Sequence, residues 1–448
     1  MSRSYLRRMA GLEPGEGVVA ALAGAMFFCL MCAYFILKPL RDEMGIAGGV
    51  HNLPHLYLVT LAAMLAIAPL LAAASRRRRR EVFLPRIYRF LGLNLLAFYV
   101  ALTLAPTSEP WLGRVFYVWV SVFNLFSLSL FWGFLADGLG FRRGRRVFGV
   151  VAVGGTLGAI LGSTLTDVLV EPLGRVTLLL VSLGFVELTL RLVGPLSRRF
   201  TAMDDPAAPT VAAAIDPRER PSLWSGVGLV LRSPYLHAIC AFLLLYSLGS
   251  TFLYFAQANI VAEAADGRAA RAQLLARIEI WVQSATLLTQ LTVTGRLLRR
   301  LGTGPVLATL PLLTAAGFAV LARWPGLVAL VGVQVLRRTL NYALVKPARE
   351  SLYTPLQPAA QYRAKNFIDT FVYRGGDAMG AGAYDLLTGI GLGVSGIALV
   401  AVPVCLVWTV VAIHLGWRQR RLAAGLDADD PAVAACPPRP TETADAAA

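Results

Sequence analysis

The residues best equipped for chemistry are cations placed where an apolar chain should carry none. Tyr34-Phe-Ile-Leu-Lys38-Pro-Leu-Arg41-Asp42-Glu43 closes a long apolar run. On a helix Lys38 shares a face with Arg41, three residues on, and with Asp42, four residues on. A second group is Arg337, Arg338, Asn341 and Tyr342, followed by Lys346-Pro347-Ala348-Arg349-Glu350. At 100° per residue Arg338 and Arg349 lie about 20° apart and Tyr342 about 40° from Arg338, which predicts one polar stripe. Pro347 removes an intrahelical bond and predicts a break or kink just where Arg349 would project. A third group runs from Asn366 and Asp369 through Tyr373-Arg374-Gly375-Gly376-Asp377, in which Arg374 and Asp377 can neutralise one another and form a switchable ion pair. Gln257, Asn259, Gln283 and Gln290 are uncharged candidates beside them. Planar guanidinium groups and ammonium groups make charge-assisted hydrogen bonds to phosphate or carboxylate oxygens, so a mostly cationic set points to an anionic ligand. Each group also has a plainer reading: snorkelling end charges for Lys38 and Arg41, a surface loop for Lys346 and Arg349, a structural pair for Arg374 and Asp377.

The elements that must position these residues are membrane-length. The chain has 448 residues, of which 56% are hydrophobic and 15% charged, with Lys and Arg exceeding Asp and Glu by 42 to 26 and a mean hydropathy of +0.62. Soluble domains are nearer about 25% charged, which excludes a soluble enzyme. Apolar runs fall at about 17–40, 54–74, 87–105, 112–136, 147–170, 174–196, 234–258, 278–298, 303–322, 326–345, 366–390 and 392–416, twelve in all. A charge near the middle of such a run costs at least about 2.5 kcal/mol, so it is expected to face a cavity or a partner.

Basic clusters mark alternate loops: Arg3, Arg7 and Arg8; Arg76 to Arg80; Arg142 to Arg146; Arg198 to Arg220; Arg296 to Arg300; Lys346 to Lys365; Arg418 to Arg421. The intervening loops, such as Pro106 to Pro110, are short and nearly uncharged. The positive-inside rule then places both termini in the cytoplasm of a multi-pass inner-membrane protein and accounts for the net charge without nucleic acid. The first apolar run lacks a small-residue cleavage site and reads as a retained helix. Five scattered cysteines and four scattered histidines suggest neither a disulfide framework nor a metal site, and Cys29 and Cys32 read as small buried hydrophobes. The glycines of the fifth run, Gly154, Gly155, Gly158 and Gly162, precede no Walker Lys-Ser or Lys-Thr and read as a packing seam. No cofactor is expected. Glu187 and Arg191, four apart, read as an internal salt bridge.

The longest polar stretch divides the chain: a six-helix bundle over 1–196, a cytoplasmic linker over 197–230, a second six-helix bundle over 231–421 and a disordered tail over 422–448. A weak repeat supports the division. Setting 158–169 against 376–387 superimposes Gly158 on Gly376, Gly162 on Gly380, Asp167 on Asp385 and Leu169 on Leu387. Repeated halves of this kind are the usual construction of carriers that rock around a central site.

Three stretches carry a resemblance. Tyr34 to Asp42 resembles a first-helix segment ending in a basic residue and Asp. Leu130-Phe131-Trp132-Gly133-Phe134 resembles a fourth-helix Phe-Trp-Gly-Phe signature. Asn341 to Glu350, followed by Tyr353-Thr-Pro355-Leu, resembles a Tyr-Ser-Leu-Phe-x-Pro-x-Lys-Glu segment. Together they resemble the nucleotide transporter family of ATP/ADP translocases and NTP/NDP exchangers, over about residues 20–415. The resemblance implies an all-α membrane protein with twelve transmembrane helices in two pseudo-repeated bundles, a major-facilitator-like fold, and no enzymatic turnover. It implies nucleotide antiport by alternating access, with the family's basic transport positions at Arg41 and Arg349. Two acidic positions of the plastid and parasite transporters are neutral here, near Val120 or Ser121 and at Gln257, which leaves the counter-ion and strict ATP/ADP exchange open. The expected binding set is Lys38, Arg41, Gln257, Arg338, Tyr342 and Arg349, with Asp42, Glu350, Asp369, Arg374 and Asp377 as gating or ion-pair residues. The expected partners are a small anionic substrate and membrane lipid, with no nucleic acid and a monomeric chain. The alternative is a proton-coupled carrier of another organic anion or a drug, with Asp369 or Asp377 titrating; a third is a membrane scaffold or sensor without turnover.

Overall fold

The computed structural model describes residues 13, 16–76, 80–105, 109–203, 225–294, 297, 300, 302–356 and 358–424. The N-terminal basic cluster, the central part of the linker and the tail beyond 424 lie outside them. Long helices dominate: α1 (Glu16–Ala47), α2 (Leu53–Arg76), α3 (Arg80–Leu104), α4 (Glu109–Gly140), α5 (Arg146–Leu173) and α6 (Leu178–Met203), then, after a short helix over Ser225–Arg232, α7 (Pro234–Ala264), α8 (Arg268–Thr292) and α9 (Thr303–Arg323). Helix α10 runs as Leu327–Leu340, a π turn Asn341–Val345 and Lys346–Ser351; α11 runs as Pro358–Phe367, a π turn Ile368–Val372 and Tyr373–Gly389; α12 is Val394–Ala423. Gly140, at φ 63°, ends α4 in a conformation that L side chains rarely adopt.

Among the described residues nine helices are long and apolar enough to cross a membrane: α1 to α7, α9 and α12. The three expected crossings outside this set are α8, α10 and α11, the last two broken by π turns into helical pieces of 17 residues or fewer. They contain Glu279, Arg337, Arg338, Arg374 and Asp377. The eighth run, expected over 278–298, is instead a helix that begins at Arg268, behind Gly267 at φ 87°. That places Glu279 about 16 Å along the helix axis rather than at its mouth. Helix α6 continues to Met203, past the expected end of the first bundle at 196, and the Ser225–Arg232 helix occupies the close of the expected linker.

Buried apolar side chains gather into two clusters, one drawn mainly from α1 to α6 and one mainly from α7 to α12. Leu93, Val168, Leu288, Leu399 and Ile413 are exposed, as a lipid-facing surface requires. The fifth-run glycines form the seam their spacing predicts. A Cβ on Gly154, Gly158 or Gly162 would collide with the backbone carbonyl of Gly24, Phe28 or Cys32 respectively, so α5 lies backbone to backbone against α1. The repeat partners Gly376 and Gly380 also lie close to α7, where an added Cβ would meet the side chains of Ser247 and Thr251. Phe131 of the Phe-Trp-Gly-Phe segment stacks on Phe27 at 4.6 Å, and Trp132 meets Phe27 and Phe148 edge-on. This segment therefore packs α4 against α1 and α5. Cys29 and Cys32 are buried, as expected. The Glu187–Arg191 pair exists at 3.6 Å, but both side chains are mostly exposed, so it is a surface pair rather than an internal one.

Candidate functional site

Glu279 is the centre of the site, and sequence reasoning passed over it. Its carboxylate accepts Lys38 Nζ from α1 at 2.6 Å, Arg338 Nη1 from α10 at 2.6 Å and Arg338 Nη2 at 2.8 Å. The Glu279 side chain is 5% exposed, Arg338 13% and Lys38 16%, so the carboxylate is enclosed while both cations keep an open edge. Fork-on-carboxylate geometry is among the stronger charge-assisted arrangements. Tyr342 lies one turn on, its ring 5.9 Å from the Arg338 guanidinium, as the stripe reading predicts.

A second cluster adjoins it. Arg41 donates from Nε and Nη2 to Asp42 Oδ1 at 2.9 and 2.6 Å and from Nη1 to Ser121 Oγ at 3.2 Å. Tyr254 of α7 donates to the same Asp42 oxygen at 3.1 Å, and its hydroxyl lies 2.8 Å from that of Tyr117. Helical spacing puts Lys38 on one face with both Arg41 and Asp42. The structure instead gives Asp42 to Arg41 and sends Lys38 across to Glu279. Taken together, Lys38, Arg41 and Arg338 set three cations against two carboxylates.

Several expected site residues lie elsewhere. The π turn over Asn341–Val345 inserts a residue just before Pro347, whose missing N–H frees the Ala343 carbonyl. One extra residue turns everything beyond it by about 100°, so Arg349 leaves the Arg338 face, and it lies about 16 Å further along the axis. The single stripe through Arg338, Tyr342 and Arg349 is therefore corrected to a central Arg338–Tyr342 pair and a separate Arg349 near the end of α10 that follows Pro347. There Arg349 is half-buried, its side chain has no hydrogen-bond or ion-pair partner among the described residues, and it is within electrostatic reach of Asp369, which is exposed. Glu350 is exposed and bonded to Lys365. Gln257 is buried and accepts Gln334 Nε2 at 2.6 Å, Asn259 donates to the Tyr384 hydroxyl at 3.0 Å, and Gln290 is exposed. Arg374 and Asp377 form the pair their spacing predicts, at 3.4 Å, with Asp377 buried.

At the ends of α1 and α5 away from the chain termini, further charges join the two halves. Glu43, fully buried, accepts Arg268 Nε at 2.5 Å and Nη2 at 3.2 Å and lies 3.4 Å from Arg175 Nη1. Glu109 meets the same two arginines at 2.5 and 3.0 Å. On the facing surfaces of α5 and α8, Arg277 donates to Asp167 at 2.8 Å and Gln273 to the Asp167 carbonyl at 3.0 Å. Among these, the sequence reading named Glu43 as part of the α1 charge cluster and Asp167 in the repeat. The signal that could have revealed Glu279 is the pattern Ile278-Glu279-Ile280-Trp281, a carboxylate set between apolar residues.

No family model matches the chain, and no curated protein matches it. Solved structures do. The nucleoside transporter NupG superimposes with a TM-score of 0.61 at 13% identity, covering 90% of this chain and 99% of that one. A point mutant of the same transporter gives 0.59 at 14% identity over the same shares. A POT family transporter in complex with 5-aminolevulinic acid gives 0.59 at 12% identity, covering 89% of this chain and 96% of that one. At such identities the likeness concerns architecture alone, and on that ground the chain has an all-α, major-facilitator-like membrane fold.

Proposed function

We propose that this protein is a secondary transporter that carries a small anion through the membrane by alternating access, and that the anion is a nucleotide or a related phosphorylated compound taken in exchange. The observation that carries the reading is the sharing of Glu279 by Lys38 of the first half and Arg338 of the second. An incoming oxyanion competes with Glu279 for the two partly open cations, and its extra charge offsets the cationic excess of the site. Taking Lys38 from Glu279 also removes a link between the halves, which couples binding to movement. Arg41 and Tyr342 line the same region. Arg349, about 16 Å away along α10, meets the anion on its way in or out. The chain works in the cytoplasmic membrane with both termini inside, following the distribution of basic loops.

Proteoliposomes loaded with ADP are then expected to take up labelled ATP, with uptake abolished by Arg338→Ala or Lys38→Ala in protein that still folds. A wild-type protein that moves no nucleotide under these conditions contradicts the nucleotide reading. One observation favours a second reading, a proton-coupled carrier of another organic anion: a buried carboxylate that bridges the halves is placed to take up a proton when its cations leave it. That carrier would show uptake driven by a pH gradient without internal nucleotide, and Glu279→Gln would uncouple it.

A further inference from the structure

Arg337 and Arg338 are neighbours in sequence with opposite surroundings. Arg338 faces Glu279, whereas Arg337, 100° round the helix, points into the core of the second half and is 3% exposed. Its guanidinium carbon lies 5.5 Å from the Tyr246 ring centre. Its Nε and Nη2 are buried with no acceptor, and it forms no ion pair among the described residues. The fully buried Trp408 of α12 presents a second unsatisfied donor, Nε1, and its ring lies 5.9 Å from the same Tyr246 ring. The Tyr246 hydroxyl is already taken by Asn341 Nδ2 at 3.0 Å. Cys405, one turn before Trp408, lies within electrostatic reach of Arg337. An arginine cannot shed its charge in a protein, and the face of one tyrosine compensates only part of it. Two sets of buried N–H donors beside one ring thus lack an acceptor, and one of them also carries an uncompensated positive charge.

We propose that Arg337 and Trp408 hold a small monovalent inorganic anion of chloride size inside the second half, as a fixed counter-ion separate from the transported solute. Size and burial choose the ligand. Arg338 and Lys38 keep exposed edges that a large anion can reach, whereas Arg337 is buried against Tyr246, and Trp408, on the same tyrosine ring, is backed by Phe242 at 5.5 Å. A multivalent phosphate would surrender far more hydration on entering such apolar walls than a halide does. The site stands independently of which solute the carrier moves.

The test is thermal unfolding of the purified full-length protein in detergent, in sodium chloride against sodium gluconate at equal ionic strength. A ligand that binds only the folded state raises the unfolding temperature in a saturable way. Chloride and bromide should do so, and gluconate should not. Arg337→Gln should remove the chloride response, Trp408→Phe should raise the half-saturating chloride concentration by about tenfold, equivalent to about 1.4 kcal/mol, and Arg338→Gln should retain it. Equal unfolding temperatures in the two salts would overturn the proposal. So would an unaltered chloride response in Arg337→Gln, or, should that variant fail to fold, in Trp408→Phe. Loss of the response in Arg338→Gln alone would place the anion at the central site and equally defeat it.

Discussion

The two ends of the molecule use their charges differently. Where α1 finishes and α8 begins, Glu43, Glu109, Arg175 and Arg268 form one network that ties the halves to each other, with Arg277 and Asp167 beside it. Where α1 begins, Arg146 of α5 holds Glu16 and Glu13. At that end Lys365 holds Glu350, and Ser351 accepts Gln419 and lies 3.2 Å from Thr303. Each of these contacts stays within one half. A carrier that alternates needs such an asymmetry, because one end must be fastened while the other admits solute, and the fastened end must be able to let go. Fastening by ion pairs suits the carrier role proposed above. A broad apolar seam between the halves would have to expose its surface at every cycle, whereas a charged pair can exchange partners with water or substrate.

The contrast can be broken at graded cost. Glu43→Ala should have the largest effect, since it removes a fully buried carboxylate from two arginines at once. Losing one partner of a buried network costs about 3 to 5 kcal/mol, read as a fall in unfolding temperature; a loss below about 1 kcal/mol would mean that Glu109 alone holds the network. Gly158→Val tests the rigid part of the first half rather than its fastening. The new side chain meets the Phe28 carbonyl, and overpacking of this kind costs about 1 to 3 kcal/mol. An unchanged unfolding temperature would contradict the close approach of α5 to α1. Asp167→Asn should matter least. Arg277 is 59% exposed, and an exposed pair contributes less than about 1 kcal/mol, diminishing as salt is added.

Local features were legible in the sequence and distant ones were not. Apolar runs located the crossings because lipid demands length and apolarity, and the four-residue spacing of Gly158 and Gly162 exposed a seam because helical periodicity is a local property. The Arg374–Asp377 pair was readable for the same reason. The bond between Lys38 and Glu279 joins residues 241 positions apart, and no spacing rule reaches so far. Without it Lys38 and Arg338 look like free cations in the sequence. Arg349 was misplaced by a subtler effect. Pro347 announced a disturbance, but a kink and an inserted π-turn residue look alike in sequence, and only the second rotates the following residues off the expected face. The start of α8 was hidden because Arg268, Arg271, Arg277 and Glu279 lower its apolarity to that of a loop.

The central claim is that Glu279 occupies the cations an anionic solute must take. Calorimetric titration of ADP into the purified protein tests it directly. The account predicts measurable binding by the wild type, binding at least about tenfold tighter by Glu279→Gln, where the internal competitor has lost its charge, and none by Arg338→Gln. Binding to Glu279→Gln that is equal to or weaker than wild type, or retained ADP binding in Arg338→Gln, would contradict it.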